Sequence, residues 1–510
     1  MSGNRAARLV MVYPQQGFSG TYVKHMPLSL LYASIDTVKA GYDVRIVDTR
    51  VCGDWQTELS RMIDGATACV GISVMSGAPI RHAVAIGRYV KSLAPDVPVV
   101  WGGPHATFHP ESILRDEPSC DYVVSGPGIR AFHLLCDSIV AGKAPTQVAG
   151  VLWRDGADIR SNRRPASSFE QVDHRDIPYH LIDDYGVYGQ IGGARRIFSM
   201  YSALGCPYQC SFCSSPAQYA SIDGRKWLPL SAGDVADHVQ MVVERYGADY
   251  IYFIDDDSFP NLKHVEAVID EIGRRALPVR LGFRGARINE IRRMSHAFLD
   301  KLAAAGTDIL HIGAESGSDR ILGLLRKDCT ADDIIACNRK LAAHPGITAA
   351  YNFIMGCPTE TLADLHKTRD LMLRLVEDHP NCIIFPPNKF RPLPGTELYR
   401  LAETEWGYTM PSSLEAWADI EVEGNISGQW YDRRTQAFCN LLLIASYFID
   451  NKVRKAGTRM SWFPLMARLI NRLYRPFALF RLRHGLAAFL VEYHAYRLLV
   501  RLLSRFQAFT

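Results

Sequence analysis

The sequence has no long apolar run, and this absence limits what the chain can be. Across its 510 residues, no uninterrupted stretch approaches the roughly 18 apolar residues that a membrane-spanning helix needs. The first residues, MSGNRAARLVMVYPQ, pass into a strand-like run without the apolar core and cleavage site of a signal peptide. With 48% hydrophobic and 22% charged residues, the composition is that of a globular protein of two or three domains. A cytoplasmic location is therefore expected.

Nucleotide and nucleic-acid motifs are also missing. The first strand-like run is not followed by G-x-G-x-x-G and no Walker lysine is present, which argues against a nucleotide site. No recognisable DNA- or RNA-reading motif occurs, so no nucleic-acid partner is expected. Acidic residues become scarce near one end, because Lys452 to Thr510 contain twelve basic residues and a single acid, Glu492. That segment carries +11, and the rest of the chain carries −7.

The first 150 residues alternate short apolar runs with helical patterns. The expected strands are Leu9–Tyr13, Val44–Val47, Cys69–Val74, Val97–Trp101 and Tyr122–Val124. The expected helices are Leu28–Ala40, Thr57–Gly65, Ile80–Leu93 and Ala131–Ala141. This β/α repeat predicts an α/β fold with a Rossmann-like, doubly wound parallel sheet that binds ligands at the carboxyl ends of its strands. A degenerate sheet that binds nothing is the alternative.

His105 and His109 stand four residues apart in this region. Pro104 and Pro110 bracket them, which argues against a shared helical face. The two histidines are therefore interpreted as loop residues near the ligand rather than as a metal-binding pair.

Three of the twelve cysteines stand together in the run Leu-Gly-Cys206-Pro-Tyr-Gln-Cys210-Ser-Phe-Cys213. The C-x3-C-x2-C spacing places three thiolates on one short loop, where they can hold three irons of a cuboidal 4Fe-4S cluster. The fourth iron is then open to a substrate or cofactor. A zinc knuckle or a redox thiol loop is the alternative, and it needs a fourth Cys or His nearby. The other nine cysteines are scattered singly, which argues against a disulfide framework.

The β/α alternation resumes at residue 197 and predicts a partial (β/α)6 barrel over 197–396. The expected strands are Ile197–Ala203, Tyr250–Ile254, Arg280–Phe283, Ile309–Ile312, Ala349–Ile354 and Ile383–Phe385. The expected helices are Ala232–Arg245, His264–Arg274, His296–Ala305, Ala331–Ala342 and Leu362–Glu377. The cysteine loop leaves the first strand at its carboxyl end, where the chemistry of such a barrel takes place.

The cysteine run, with Phe212 as its aromatic residue, resembles the signature of the radical S-adenosylmethionine (SAM) superfamily. The resemblance implies that Cys206, Cys210 and Cys213 hold a 4Fe-4S cluster whose open iron binds SAM, which an electron cleaves to a 5'-deoxyadenosyl radical. Further matching segments at strand ends imply SAM contacts at Phe212, Asp255, Asp256, Asp257, Glu315 and Gly356. Taken singly, the aspartates could form a solvated turn, and Glu315 could be a helix-start acid favoured by the dipole.

The first 150 residues resemble the cobalamin-binding domain that precedes the cluster domain in many members of this superfamily. The matching segments are Pro27-Leu-Ser-Leu-Leu-Tyr-Ala, Val47-Asp48, Gly71-Ile-Ser73 and Trp101-Gly-Gly-Pro-His-Ala-Thr107. The resemblance implies cobalamin contacts at Ser73, Met75, Ser76, Gly102, Gly103, Pro104, His105 and Gly126. The motif D-x-H-x-x-G is absent, so no histidine is marked as a lower cobalt ligand. Gly126-Pro-Gly-Ile129 stands where G-E-G-E is common.

Two further ranges complete the expected domain plan of 1–150, 151–196, 197–396 and 397–510. Residues 151–196 are expected to be a linker with one hairpin, and 397–510 a helical C-terminal domain. Near the end, basic and apolar positions alternate at helical spacing: Arg497, Arg501 and Arg505 beside Leu498, Leu502, Leu503 and Phe506. Two interpretations stay open, a cap whose arginines are solvated, or an interfacial helix that contacts anionic lipid or an acidic partner.

The resemblance predicts a cobalamin-dependent radical SAM enzyme, and a methyltransferase in particular. Its expected target is an unreactive carbon or phosphorus of a small-molecule, natural-product or lipid substrate. A reductase or flavodoxin-type electron donor is implied. A cyclase or rearrangement enzyme without net methylation is the second interpretation, and a cobalamin or redox sensor is the third. The substrate pocket is expected to come from residues 14–27, the barrel's strand ends and residues 397–451.

Overall fold

A computed structural model describes residues 6–16, 25–162, 168–188, 194–420, 430–450 and 463–498, with side chains from 469 onward in the last range. The described residues form two compact units. The first unit takes its residues from Met1–Val187 and Thr409–Asn425. The second takes them from Tyr188–Tyr408 and Ile426–Arg501.

The first unit is built on a seven-stranded sheet of order β2-β1-β3-β4-β5-β6-β7. The strands are β1 Arg8–Tyr13, β2 Asp43–Asp48, β3 Thr67–Ser73, β4 Val99–Gly102, β5 Tyr122–Val124, β6 Val151–Asp155 and β7 Asp158–Ser161. Strands β1 to β5 run parallel, and the β6–β7 hairpin adds to β5 in the antiparallel sense. The central strand β1 is an apolar run buried along its middle, as expected of a parallel strand covered on both faces. The predicted doubly wound α/β fold is confirmed.

The helices of this unit follow the predicted alternation with two differences. They are α1 Leu28–Ala33, α2 Ile35–Lys39, α3 Trp55–Met62, α4 Pro79–Leu93, α5 Pro104–Phe108, α6 Pro110–Asp116 and α7 Ile129–Val140. The single helix expected over Leu28–Ala40 is wrong: it divides at Ser34, whose hydroxyl donates to the Leu30 carbonyl at 2.7 Å. The loop expected around Pro104 and Pro110 is also wrong. Both prolines occupy the first turns of short helices, where a missing N–H costs nothing.

The second unit contains six parallel strands in the order β15-β14-β13-β12-β11-β8, which confirms the barrel-like β/α succession. The strands are β8 Ile197–Met200, β9 Ala203–Gly205, β10 Trp227–Pro229, β11 Tyr250–Phe253, β12 Arg280–Ala286, β13 Thr307–Glu315, β14 Thr348–Met355, β15 Ile383–Ile384 and β16 Asn388–Lys389. Strands β9 and β10 form a separate antiparallel pair, and β16 pairs with β14. The first expected strand therefore ends at Met200, and the chain leading to the cysteines pairs elsewhere.

Capping residues start several helices of this unit. The helices are α8 Ser215–Gln218, α9 Ala232–Tyr246, α10 Leu262–Arg274, α11 Ile288–Arg293, α12 His296–Ala304, α13 Asp319–Leu324, α14 Ala331–Ala342, α15 Leu362–Asp378, α16 Glu397–Glu405, α18 Arg433–Ser446 and α19 Phe463–His484. Thr330 with Asp333, and Thr361 with Asp364, form capping boxes at α14 and α15. A further helix, α20, is described over 491–498.

The region after residue 396 is divided between the two units. A short helix, α17 (Leu414–Ala418), belongs to the first unit, where the Leu414 amide donates to Asp116 at 3.2 Å and Trp417 packs on His109. The other described segments belong to the second unit. The described residues of 397–510 thus fall into two units. Among the helices of the described ranges, none combines the length and the apolarity that crossing a membrane would require.

Candidate active site

The cysteine loop is anchored to the second unit through Ser211. The Ser211 amide donates to the Leu325 carbonyl at 3.3 Å, and its hydroxyl donates to the Leu324 carbonyl at 2.6 Å. The Leu398 amide donates to the Ser211 carbonyl at 2.9 Å. These bonds tie the middle of the loop to the end of α13 and the start of α16. The three cysteines on either side remain half-buried and free of disulfide bonds.

Arg287, which follows β12, places a positive charge against the loop. Its Nη1 donates to Sγ of Cys210 at 2.8 Å, and its guanidinium lies 4.0 Å from the centre of the Tyr208 ring. Tyr208 donates to Glu290 at 2.7 Å. Burial raises the pKa of the Cys206 and Cys213 thiols, so a neighbouring cation stabilises the loop's thiolate form. Arg287 itself is buried.

The three aspartates after β11 have different surroundings. Asp255 is fully buried, and it accepts hydrogen bonds from the Ser202 amide at 2.7 Å, the Ser202 hydroxyl at 2.6 Å and the Ala203 amide at 3.1 Å. Burial raises the pKa of Asp255 to about 6. Asp257 is also buried, and burial raises its pKa beside Glu290. Only Asp256 is exposed, and it accepts a 2.5 Å hydrogen bond from the Tyr219 hydroxyl. Of the three, Asp256 has the carboxylate best placed to meet a ligand's ammonium group.

Glu315 ends β13 and pairs with a buried lysine. Lys327 Nζ lies 3.0 Å from Glu315 Oε1, and both side chains are buried. Burial alone would lower the pKa of Lys327, but the charges of Glu315 and Cys210 raise it. Glu315 adopts a φ of 63°, which is uncommon for a residue with a Cβ and marks local strain. Lys327 Nζ is also 6.0 Å from the centre of the Phe212 ring.

Gly356 follows β14, close to Phe212. The Phe212 ring packs on the apolar cluster of Ile321, Leu325, Cys357, Phe390 and Leu398. The Gly356 amide donates to Glu360 at 2.6 Å, and its carbonyl accepts from Trp430 Nε1 at 3.0 Å. Gly356 is buried with a φ of 87°, a conformation that glycine adopts without strain. The Phe212 ring thus shares an apolar cluster with Cys357, the residue after Gly356, and lies near the lysine that pairs with Glu315.

The candidate cobalamin residues meet at the carboxyl ends of β3, β4 and β5. The Val74 amide donates to the Gly102 carbonyl at 2.8 Å, and the Gly126 amide donates to Thr107 at 3.0 Å. Gly103 has a φ of 94°, and a Cβ there would lie 3.0 Å from the backbone N and O of Val74. At Gly102 the nearest atom to an added Cβ is a carbonyl oxygen 4.0 Å away. The turn requires glycine at position 103, because a Cβ there would contact the Val74 backbone. The space beside Gly102 holds no protein atom closer than 4.0 Å and is available to a ligand.

The other predicted contacts of this site differ in exposure. Met75 and Pro104 are exposed, while Ser73 and Ser76 are half-buried. His105 is fully buried: Ser76 lies 3.0 Å from its Nδ1, and its Nε2 has no partner among the described residues. Burial lowers the pKa of His105 to about 3 and keeps the imidazole neutral.

The two histidines are neighbours, contrary to the loop interpretation. The His109 amide donates to the His105 carbonyl at 2.9 Å, which is one helical turn. Their ring centres are 5.1 Å apart, and Trp417 lies 4.5 Å from the His109 ring. The His105 side chain has no exposed surface. At this position, therefore, only the backbone can contact a ligand bound at the strand ends.

The residues of the second unit fit an open 4Fe-4S cluster and its bound cofactor. Three free thiols share one loop, a buried guanidinium donates to one of them, and an exposed carboxylate stands at the next strand end. In the described ranges, no three His, Cys, Asp or Glu side chains converge as ligands of a single metal ion. A cuboidal cluster does not require three side chains to converge on one ion, because each thiolate binds its own iron.

Comparison with known families agrees with both units. The B12 binding domain matches residues 21–135, and the Radical SAM superfamily matches residues 200–372. The chain contains a radical SAM domain and a B12-binding domain. As a radical SAM protein with a B12-binding domain, it combines the two folds in the order that its sequence motifs indicate.

Similar proteins include enzymes of two kinds. The uncharacterized methyltransferase PH0819 of Pyrococcus horikoshii is 29% identical over 384 residues, which cover 74% of this chain and 78% of that protein. The anaerobic magnesium-protoporphyrin IX monomethyl ester cyclase of Cereibacter sphaeroides is 25% identical, over 76% of this radical SAM protein and 63% of the cyclase. The solved structure of the cobalamin-dependent SAM radical enzyme OxsB, with aqua-cobalamin and SAM bound, has a TM-score of 0.69 at 16% identity. That alignment covers 94% of this chain and 72% of OxsB, and it establishes the shared fold.

Two residues of the site escaped sequence analysis. Lys327 and Glu290 stand outside any motif, and each contacts a site residue only through the fold. Glu360 ends the matching segment that contains Gly356, and Trp430 lies in the range 397–451, but the contacts of both with Gly356 were not predicted. The run Leu-Leu-Arg-Lys327-Asp reads as an ordinary polar helix end. No local signal distinguishes the lysine that becomes buried from its exposed neighbour Arg326.

Proposed function

We propose that the chain is a cobalamin-dependent radical SAM methyltransferase. The observation that carries this is the pairing of an open three-cysteine loop with a B12-binding domain in one chain that is similar to a methyltransferase over 74% of its length. Bound together, a reduced cluster and SAM supply a carbon radical and cobalamin supplies a transferable methyl group. Such chemistry suits substrates whose carbon or phosphorus is too weak a nucleophile to attack SAM directly.

The protein's own residues bind, orient and tune these groups. Cys206, Cys210 and Cys213 hold the cluster, and Arg287 donates a hydrogen bond to the sulfur of Cys210. Asp256 is proposed to receive the ammonium of SAM. Phe212, Asp255, Asp257, Glu315 and Gly356 are proposed to frame the same cofactor, with Asp255, Glu315 and Gly356 acting chiefly by holding their loops in place.

The first unit is proposed to bind cobalamin at the carboxyl edge of its sheet. Gly102 leaves room for the macrocycle, and Gly103 holds the sharp turn beside it. Ser73, Met75, Ser76, Pro104 and Gly126 border the same edge. His105 is proposed to contribute backbone contacts, because its side chain is buried against Ser76, His109 and Trp417.

Electrons are proposed to arrive from a reductase or a flavodoxin-type protein. A cavity of about 800 Å³ lies against the cysteine loop, lined by Pro207, Tyr208, Trp227, Pro260, Asn289, Arg292, Arg293 and Asp328. Tyr208 connects this cavity to Arg287 and thereby to Cys210. Charge reversal by R292E/R293E should slow cluster reduction by flavodoxin hydroquinone and leave reduction by dithionite unchanged. A cytoplasmic location is proposed because all twelve cysteines are free thiols in the structure.

A cyclase or rearrangement function is the second candidate, and its support is the similarity to the magnesium-protoporphyrin ester cyclase. The products of SAM discriminate the two. A methyltransferase that uses SAM both as methyl source and as radical source should release S-adenosylhomocysteine together with 5'-deoxyadenosine. A cyclase without net methylation should release 5'-deoxyadenosine and methionine without S-adenosylhomocysteine. A sensor of oxygen or cobalamin should form neither S-adenosylhomocysteine nor 5'-deoxyadenosine from SAM.

The decisive experiment is anaerobic purification with cobalamin supplied, followed by quantification of iron, sulfide and corrin. About four irons and one corrin per chain are expected, since a cuboidal cluster holds four irons. The variant C206A/C210A/C213A should lose the iron and keep the corrin. Iron without corrin would remove cobalamin from the proposed mechanism, and wild-type protein that binds no iron would contradict the proposal as a whole.

A further inference from the structure

Solvent-facing apolar side chains are concentrated in one part of the second unit. In the described part of the chain, thirteen large apolar side chains are exposed, and nine of them lie between residues 469 and 498. We call these nine the apolar patch: Leu469, Ile470, Leu473, Phe477, Phe480, Leu486, Phe489, Val491 and Leu498. Single exposed apolar residues are ordinary, but a contiguous group marks a contact surface.

Five residues of the patch share one face of α19. Leu469, Ile470, Leu473, Phe477 and Phe480 recur at helical spacing and fall within a sector of about 100° around the helix axis. Ala478 and Leu482, on another side of the helix, are buried, and α19 packs there on α15 and α18. The helix thus has one apolar face for its own unit and a second one directed to solvent. Packing inside the unit does not account for the second face.

Phe489 extends the patch in the loop between α19 and α20. Its side chain is 92% exposed, and its φ of 52° is unfavourable for a residue with a Cβ. The buried guanidinium of Arg481 holds this loop: Nε donates to the Leu486 carbonyl at 3.0 Å, and Nη2 donates to the Ala488 carbonyl. These bonds hold the loop in a strained conformation in which the Phe489 side chain is exposed to solvent. Backbone strain of this kind is typical of functional sites.

The sequence segment that carries the patch is positively charged. Glu492, the single acid between Lys452 and Thr510, is paired with Arg481 at 2.7 Å and is mostly buried. Arg472 is exposed beside the outward face of α19. An apolar face beside Arg472, in a segment of net charge +11, matches an interfacial helix that inserts its apolar side chains below negatively charged headgroups.

We propose that the apolar patch docks this protein on the surface of an anionic lipid bilayer. Phe489 and the outward face of α19 enter the headgroup region, and the arginines of the segment meet the negative charges. The helix lies on the membrane and does not cross it. Docking of this kind is independent of the methyl-transfer proposal, since the patch shares no residue with the candidate active site.

The test is co-sedimentation of the full chain with vesicles of phosphatidylcholine, with and without phosphatidylglycerol. Wild-type protein should bind the anionic vesicles, and high salt should release it. F489D and L473D should each weaken binding by about tenfold or more, because each removes a large apolar side chain from the lipid. V140D is the matched control: Val140 is 54% exposed on the first unit, outside the patch, and its replacement should not change binding.

A second measurement reports insertion directly. In F489W, quenching of tryptophan fluorescence by lipids brominated on their acyl chains should exceed that of the wild type. Equal melting temperatures would show that the variants are folded. Failure of the wild type to bind anionic vesicles would overturn the proposal, as would unchanged binding of F489D and L473D. The wild type could fail to bind vesicles while these variants lose self-association or binding to an acidic protein. That result would assign the patch to a protein partner instead.

Discussion

Arg287 donates a hydrogen bond to the sulfur of Cys210 across 2.8 Å, from a strand end 77 residues further along the chain. The guanidinium is buried and lies over Tyr208. A hydrogen bond and a positive charge at a ligand sulfur both stabilise the more negative, reduced state of an iron–sulfur cluster. We therefore propose Arg287 as a tuning residue for the cluster that Cys206, Cys210 and Cys213 are proposed to hold.

Replacement of this arginine should make the cluster harder to reduce. In R287M the reduced fraction at a given dithionite potential should fall, as measured by electron paramagnetic resonance, while R287K should retain part of the effect. R284M is the control, because Arg284 is exposed on β12, the strand that Arg287 follows. An unchanged midpoint potential in R287M, with full iron content, would show that the bond to Cys210 has no role in tuning.

The Glu315–Lys327 pair should contribute strongly to the stability of the second unit. K327M leaves a buried carboxylate without its partner, which typically costs about 3–5 kcal/mol. The urea-unfolding midpoint should fall accordingly, and the double variant E315Q/K327M should recover part of the loss. R326M breaks the surface pair with Glu397 and should cost less than about 1 kcal/mol. Equal losses in K327M and R326M would contradict the assigned burial.

Glu360 should give the second unit a pH-dependent stability. Burial raises its pKa to about 7, so the folded state holds this proton more tightly than the unfolded state does, where the ordinary value is 4.5. The stabilising contribution is complete below pH 4.5, and it is lost as the pH rises to 7 and above. Its size is on the order of 3 kcal/mol. The measurement is the free energy of unfolding of the wild type minus that of E360Q. This difference should fall as the pH rises from 4.5 to above 7.

Exposed Glu405 provides the control for that measurement. E405Q should follow the wild-type curve from pH 4.5 to 8. If E360Q followed the wild-type curve as well, Glu360 would not hold a proton in the folded state.

Gly102 and Gly103 should respond differently to the same substitution. G103A forces a Cβ against the Val74 backbone in a left-handed conformation, so the melting temperature of the first unit should fall. G102A meets no protein atom closer than 4.0 Å and should fold normally. If cobalamin occupies that space, G102A should nevertheless bind less corrin, as read from its absorption spectrum. Full corrin content in G102A would place the macrocycle elsewhere.

Much of the fold and part of the site could be predicted from the sequence. The alternation of apolar strands with amphipathic helices determines the two β/α sheets, because each short apolar run must be buried between helices. The spacing of Cys206, Cys210 and Cys213 also determined the metal-site prediction, since three thiols on one loop are a local property of the chain.

The tertiary structure decided which charged residues surround that loop. Arg287, Glu315 and Lys327 come from different strand ends, and nothing near them in the sequence says that they will be buried together. It also decided that Pro104 starts a helix rather than a loop, and that α19 turns one apolar face outward. Periodicity reports that a helix has an apolar face, whereas only the packed neighbours determine whether that face is covered.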